Sequence, residues 1–158
     1  MQLAHKVLTI IAIISVLLTV YMASEYVSTY IKIMRTQIKG VIKKAEFHEG
    51  QLKVSVEISI VAKGKPFKVH KIEYTLFLNN KYLLRDKISQ SIILIPEKEV
   101  KIERELTIPE ERMFTVWEAI QINRWKWKVL GTLFTQTFFG ETLIRFKFTM
   151  NLTPEGTP

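Results

Sequence analysis

The chain has 158 residues, no cysteine, three histidines and a formal net charge of +8. The missing cysteines exclude disulfides, thiolate catalysis and Cys-based zinc sites. From residue 41 onward 19 basic residues stand against 14 acidic ones; the surplus there is only five, and the two signs interleave along the chain, which argues against a nucleic-acid partner. Abundant Ile, Lys and Glu with few Asn and Gln match the bias of hyperthermophile proteins, so a thermophilic source is expected.

Residues 7–24 (VLTIIAIISVLLTVYMAS) carry no charge over 18 positions. At ~1.5 Å rise per residue they reach roughly 27 Å, close to the ~30 Å hydrocarbon core of a bilayer. Residues 1–24 are therefore predicted to be a single-pass signal-anchor helix, with the lipid bilayer as partner of 7–24. Two alternatives stay open. A cleaved signal peptide would use Lys6 in its n-region, but Tyr21-Met22-Ala23 puts a bulky residue where a small one is wanted. A buried core helix would keep a polar stripe, and here only Thr9, Ser15 and Thr19 interrupt the apolar surface.

The next segment, 25–39, lacks Pro and Gly. Val27, Tyr30, Ile31, Met34 and Ile38 fall on one helical face and Lys32, Arg35 and Lys39 on another, with Gly40 as a stop signal. The expectation is a juxtamembrane basic helix over 25–40, serving as a stalk or as a docking face for a protein partner. Tyr21, Tyr26 and Tyr30 suit an interfacial aromatic belt, and Lys32, Arg35 and Lys39 are the matching membrane-interface cations. The basic flank after the apolar run would keep the domain in the cytoplasm by the positive-inside rule. Asn151-Leu152-Thr153, a candidate glycosylation acceptor at Asn151, pulls the other way.

Beyond residue 41 the period changes to two. Leu52, Val54, Val56, Ile58 and Ile60 alternate with Lys53, Ser55, Glu57 and Ser59. Ile72, Tyr74, Leu76 and Leu78 repeat the pattern before the turn pair Asn79-Asn80, and Val100, Ile102, Leu106 and Ile108 alternate with Lys101, Glu103, Glu105 and Thr107. Trp125, Trp127, Val129 and Leu133 are offset from Lys126 and Lys128; Gly140 turns the chain into a last strand with Ile144, Phe146, Phe148 and Met150 inward. With 41–48 and 88–95 this makes about seven strands. Between them, 109–123 reads as a short helix near 110–122, opened by Pro109, Glu110 and Glu111 and carrying Met113, Val116, Trp117 and Ile120. The fold class is an immunoglobulin/fibronectin-III-like antiparallel β-sandwich over 41–152, followed by a frayed tail, 153–158.

The order of features carries a resemblance. The strand Leu52 to Ile60 leads to Lys63-Gly64-Lys65-Pro66-Phe67, then to Ile72-Glu73-Tyr74-Thr75-Leu76-Phe77-Leu78-Asn79-Asn80. An Ile95-Pro96 step follows, then Trp127-Lys128-Val129-Leu130-Gly131-Thr132-Leu133, and last Phe138-Phe139-Gly140-Glu141-Thr142. This series resembles the water-stress and hypersensitive-response (WHy) domain of the group-2 late-embryogenesis-abundant (LEA) family. One departure stands out: Lys63-Gly64 replaces the family's Asn-Pro turn, while Gly still allows positive φ and Pro66 fixes its own. The resemblance implies a β-sandwich without catalytic activity, a role in desiccation and stress tolerance, and a prokaryotic, archaeal-type membrane-anchored form with the domain outside the cytoplasm.

Catalytic constellations are not legible. His5, His48 and His70 have no carboxylate cluster near them in sequence, no Gly-x-Ser-x-Gly elbow or phosphate loop occurs, and neither HExxH nor an EF-hand loop is present. No enzyme activity, cofactor, metal or small-molecule substrate is expected. Trp125, Lys126, Trp127 and Lys128 form the candidate surface-binding stretch, able to cover lipid or stack on a ligand; the competing reading puts the tryptophans in the core. Two other functions fit the same layout: a pilin- or archaellin-like filament subunit, disfavoured by the lack of a basic-Gly or basic-Ala peptidase site, and an accessory subunit of a membrane complex docking through 25–39.

Overall fold

The computed structural model describes residues 2–137 and 139–156. A long helix, α1 (Gln2–Met34), leads into β1 (Gln37–His48), β2 (Gln51–Val61), β3 (Phe67–Leu78), β4 (Lys81–Ile88), β5 (Ile92–Leu94) and β6 (Glu99–Thr107). A 3-10 turn, Glu110–Arg112, opens α2 (Met113–Gln121), and β7 (Lys126–Thr137) and β8 (Gly140–Asn151) complete the order.

The strands form two antiparallel sheets, ordered β1-β2-β6 and β4-β3-β7-β8, with β5 beside the start of β3. Period-two patterning explains the layering: one face of each strand must leave water, and the two apolar faces cover each other. From β2, Leu52, Val54, Val56, Ile58 and Ile60 are buried; from β3, Ile72, Tyr74, Leu76 and Leu78; from β7, Trp127, Val129 and Leu133. Two-residue turns close the β1–β2 and β3–β4 hairpins, with positive φ at Glu49, Gly50, Asn79 and Asn80. Asn and Gly tolerate that conformation best, and it matches strand twist.

Eight strands are described where seven were expected. The extra one is β4, whose sequence KYLLRDKI hides its period because the register slips where Leu76 and Phe77 meet Leu84 and Tyr82. The short helix near 110–122 is present as α2, which buries Met113, Thr115, Val116 and Ala119.

The predicted basic helix over 25–40 is corrected. α1 stops at Met34, and Gln37 already pairs with Val61 in the β1–β2 ladder. Ladder pairing with β2 and burial of Ile42 outweigh the helical spacing of this stretch. Lys39 therefore lies on a strand opposite Ser59, not on a membrane-facing helix. Gly40 is no helix stop: a Cβ there would fall 1.8 Å from the Phe148 ring, so the glycine admits an aromatic ring between β1 and β8. The tail is corrected too. Glu155 donates its N–H to Ala45 O (2.8 Å) and accepts from Phe47 N–H (3.1 Å), laying residue 155 along the edge of β1; residues 157 and 158 lie outside the described residues.

Both flanks of the sandwich are bridged. On one, β1 lies against β8, where Ile42 N–H donates to Met150 Sδ at 2.9 Å. On the other, Arg104 of β6 reaches Asp86 of β4.

Candidate functional site

Three surfaces carry the candidate residues, and each follows from strand or helix direction. The first is the end of the sandwich where α1 arrives. Strand directions bring the β2–β3 loop and the β7–β8 turn to this end. Gly64 takes φ +101 there, as the turn chemistry predicts, and the side chain of Lys32 lies where a Cβ would stand, 2.9 Å away. Lys65 Nζ is 3.5 Å from Glu25 Oε2. The Tyr26 ring meets Phe139 edge-on at 5.1 Å and stacks on Tyr30 at 6.3 Å. Thr29 and Ile33 of the helix line a crevice of ≈ 230 Å³ with Pro66, Phe67 and Thr137, and Ile33 is buried. The last third of α1 is thus packed on the domain along one face, while Val27, Tyr30, Ile31 and Met34 stay exposed on the other. Tyr21 is also exposed, and Arg35 is exposed in the turn after the helix. Among the membrane-interface candidates, Tyr21, Tyr26, Tyr30 and Lys32 share the helix; Lys39 does not join them.

Upstream, α1 leaves the domain. His5–Met34 is long and apolar enough to cross a membrane, and none of its most apolar 18-residue window is buried. The helix is a candidate membrane span or signal anchor.

The second surface is the Trp–Lys stretch, and here the surface-binding expectation is corrected. Trp125 is 5 % and Trp127 0 % exposed, because both share the inward phase of β7 with Val129 and Leu133. Their rings stack at 6.3 Å, and Trp127 Nε1 donates to Leu152 O at 2.8 Å. Lys126 and Lys128 take the outward phase; Lys128 Nζ donates to Asn80 Oδ1 at 3.1 Å and lies 4.9 Å over the Phe77 ring. The exposed tryptophan is Trp117 on α2, stacked on Phe47. Asn151 is exposed as the last residue of β8, opposite Lys126.

The third surface was missed by reading charge along the chain. Register places Lys68, Lys71, Arg85, Lys87, Lys126, Lys128, Arg145 and Lys147 on the outer face of the five-stranded sheet, with Glu73 and Glu141 as the acids there among the described residues. Glu73 is bound by Arg85 and by Lys71 (3.2 Å), and their hydrogen bonds hold its carboxyl below the usual carboxylate range. An open depression of ≈ 430 Å³ lies among Glu73, Arg85, Thr132, Arg145 and Lys147. The outer face of the other sheet is balanced: five lysines (39, 43, 44, 53, 101) meet five glutamates (46, 57, 99, 103, 105). The signal was available in sequence only once strand pairing was known, since cross-strand neighbours are far apart in the chain.

Two polar contacts elsewhere have structural geometry. Tyr74, 1 % exposed, donates its hydroxyl to Asp86 at 2.8 Å. Burial and that hydrogen bond together push the phenol far above its ordinary pKa, so it stays a neutral donor. Arg104 Nε lies 3.4 Å from the same carboxylate, and the three side chains join the two sheets at their open flank. His70 Nε2 is 3.0 Å from Glu141 Oε2; among the described residues, no group of three or more His, Asp or Glu side chains could hold a metal ion.

No family model and no curated protein matches the chain. Solved structures do. A solution structure of AT1g01470 from Arabidopsis thaliana aligns at TM-score 0.54 with 12% identity, covering 80% of this chain and 83% of that one. A protein described as late embryogenesis abundant, At2g46140.1, aligns at TM-score 0.50 with 8% identity, covering 85% and 90%. A crystal structure of an Archaeoglobus fulgidus protein aligns at 0.47 with 14% identity, covering 74% and 98%. At such identities the first two likenesses speak to the fold: an antiparallel β-sandwich of the kind seen in a LEA protein, carried here behind a long apolar helix.

Proposed function

We propose that this protein is a membrane-anchored, non-catalytic β-sandwich module of the LEA-like kind, which holds a protective or partner-binding surface beside the bilayer. The observation that carries the reading is the division of α1: its apolar window is wholly uncovered by protein, whereas its last third is packed on the sandwich. A helix with that much apolar surface is stable in lipid and costly in water. The likeness to a LEA protein's fold supports a stress-related role. The Tyr74–Asp86–Arg104 and His70–Glu141 contacts join strands and sheets, which supports a module that works through its surface.

The test uses the full chain reconstituted in vesicles and heated or dried with a client enzyme. Less client aggregation than with empty vesicles is expected; equal aggregation at stoichiometric amounts overturns the protective role. Alkaline extraction of membranes from expressing cells tests the anchor, with the protein expected in the pellet. On this reading the sandwich lies outside the cytoplasm, as the family resemblance implies, so protease added to intact cells should digest it. A second reading, accessory subunit of a membrane complex, draws on the bare strip Val27, Tyr30, Ile31 and Met34; a stoichiometric partner retained through detergent purification would favour it.

A further inference from the structure

The helix supplies a ruler for the height of the sandwich above the lipid. Its charge-free stretch ends at Ser24, and the contacts that fix the loop tips fall at the next two residues. Glu25 holds Lys65, at the tip of the β2–β3 loop, and Tyr26 holds Phe139, in the β7–β8 turn. At ~1.5 Å per residue those two side-chain contacts fall within roughly 3 Å, along the helix axis, of the end of the apolar stretch, while the backbone of the β2–β3 loop stands farther out, with Gly64 beside the Lys32 side chain. The headgroup layer on each side of the hydrocarbon core is roughly 5–7 Å thick. We propose that the helix-bearing end of the sandwich reaches that headgroup layer through the Phe139 ring and the Lys65 ammonium, which contact phospholipid.

This rests on the membrane-anchor reading. The chemistry of the two tips suits the site independently of height. Phe139 is 37 % exposed, and an aromatic ring at a loop tip favours the interface. Lys63 and Lys65 put long-stemmed cations at the same end, steadied by Glu97 (2.6 Å) and Glu25, where anionic headgroups attract them. Ile95, one residue beyond the Phe67–Leu94 pair, adds an apolar side chain that is 49 % exposed at that rim. Ile33, buried where the helix meets the sandwich, ties the two together behind these tips.

The chain lacks cysteine, so single reporters can be placed without background. Full-length Phe139→Cys, Lys65→Cys, Asn80→Cys and Val16→Cys would each be labelled with an environment-sensitive fluorophore. The probe is a vesicle of phosphatidylcholine and phosphatidylglycerol carrying headgroup or acyl-chain spin labels. The expected result is blue-shifted emission and headgroup quenching at 139 and 65, acyl-chain quenching at 16, and neither at 80, in the far hairpin turn. Quenching at 16 with none at 139 and 65 overturns the contact and leaves the anchor standing. No quenching at 16 overturns the anchor and the contact with it. Position 65, on the other tip, guards against a local effect of removing the Phe139 ring.

Discussion

The two sheets share one core yet differ on every other count. The three-stranded sheet offers aliphatic side chains inward, Leu52, Val54, Val56, Ile58 and Ile60 among them, and a balanced lattice of lysine and glutamate outward. Its Lys43 lies 2.6 Å from Glu57 and 3.1 Å from Glu103. The five-stranded sheet puts the large aromatics inward, Tyr74, Trp127 and Phe146, and a nearly unopposed basic field outward. The basic surplus of the sandwich is thus gathered on one face. The alternating signs on the first face largely cancel one another's field, whereas the second face carries a net positive one.

The sharpest way to break this contrast is in the core. Trp127→Ala should cost about 3–5 kcal/mol of stability, since a fully buried ring leaves a cavity, whereas Ile58→Val on the opposing sheet should cost about 0.5–1.5 kcal/mol. Denaturant unfolding of both variants measures the difference; equal losses would mean that the aromatic layer is no more important than the aliphatic one. A smaller effect concerns the outer faces. Arg145→Glu with Lys147→Glu should shorten retention on a sulfated matrix far more than Lys53→Glu with Lys101→Glu, with Tm unchanged in both. Equal shortening would show that the field is spread over the whole surface.

The smallest effect is in the pH response. Glu73 and Glu103 are both held below the ordinary carboxylate range, Glu73 by Arg85 and Lys71 and Glu103 by Lys43 and Ser55. Each contributes stability that is present above the unfolded value and lost as pH falls through the lower folded one. Lys43 is held above its ordinary value by Glu57 and Glu103, so its contribution is present below the unfolded value and lost as pH rises through the folded one. Glu103→Gln should therefore flatten stability at both ends of the pH range, and Glu73→Gln should flatten it at the acid end. Thermal melts across pH would reveal this, and an unchanged acid limb in Glu73→Gln would contradict the assignment.

Much of the fold was readable because its strands are long and half-buried: 52–60, 72–78 and 144–150 each show their inward residues by alternation. The apolar helix was readable from its lack of charge, and the core placement of Trp127 from its phase with Val129. What failed had a common physical origin. Residues 37–40 keep helical spacing, but pairing with β2 and the Phe148 ring over Gly40 decide their conformation. The strand β4 is masked by a bulge, and the tail is laid down where Ala45 and Phe47 offer backbone partners. The candidate surfaces depended still more on pairing: Arg85 and Arg145 come near Glu73 only across strands.

Only Arg35 and Thr36 separate the end of α1 from the first strand. A joint that short transmits torque. If α1 rolls about its own axis, the sandwich must turn with it, so the compass bearing of the basic field is set by whatever grips the helix. Copies of the chain gripped alike would all point that field in one direction, and lengthening the joint with a few glycines should randomise the bearing while leaving anchor and fold intact.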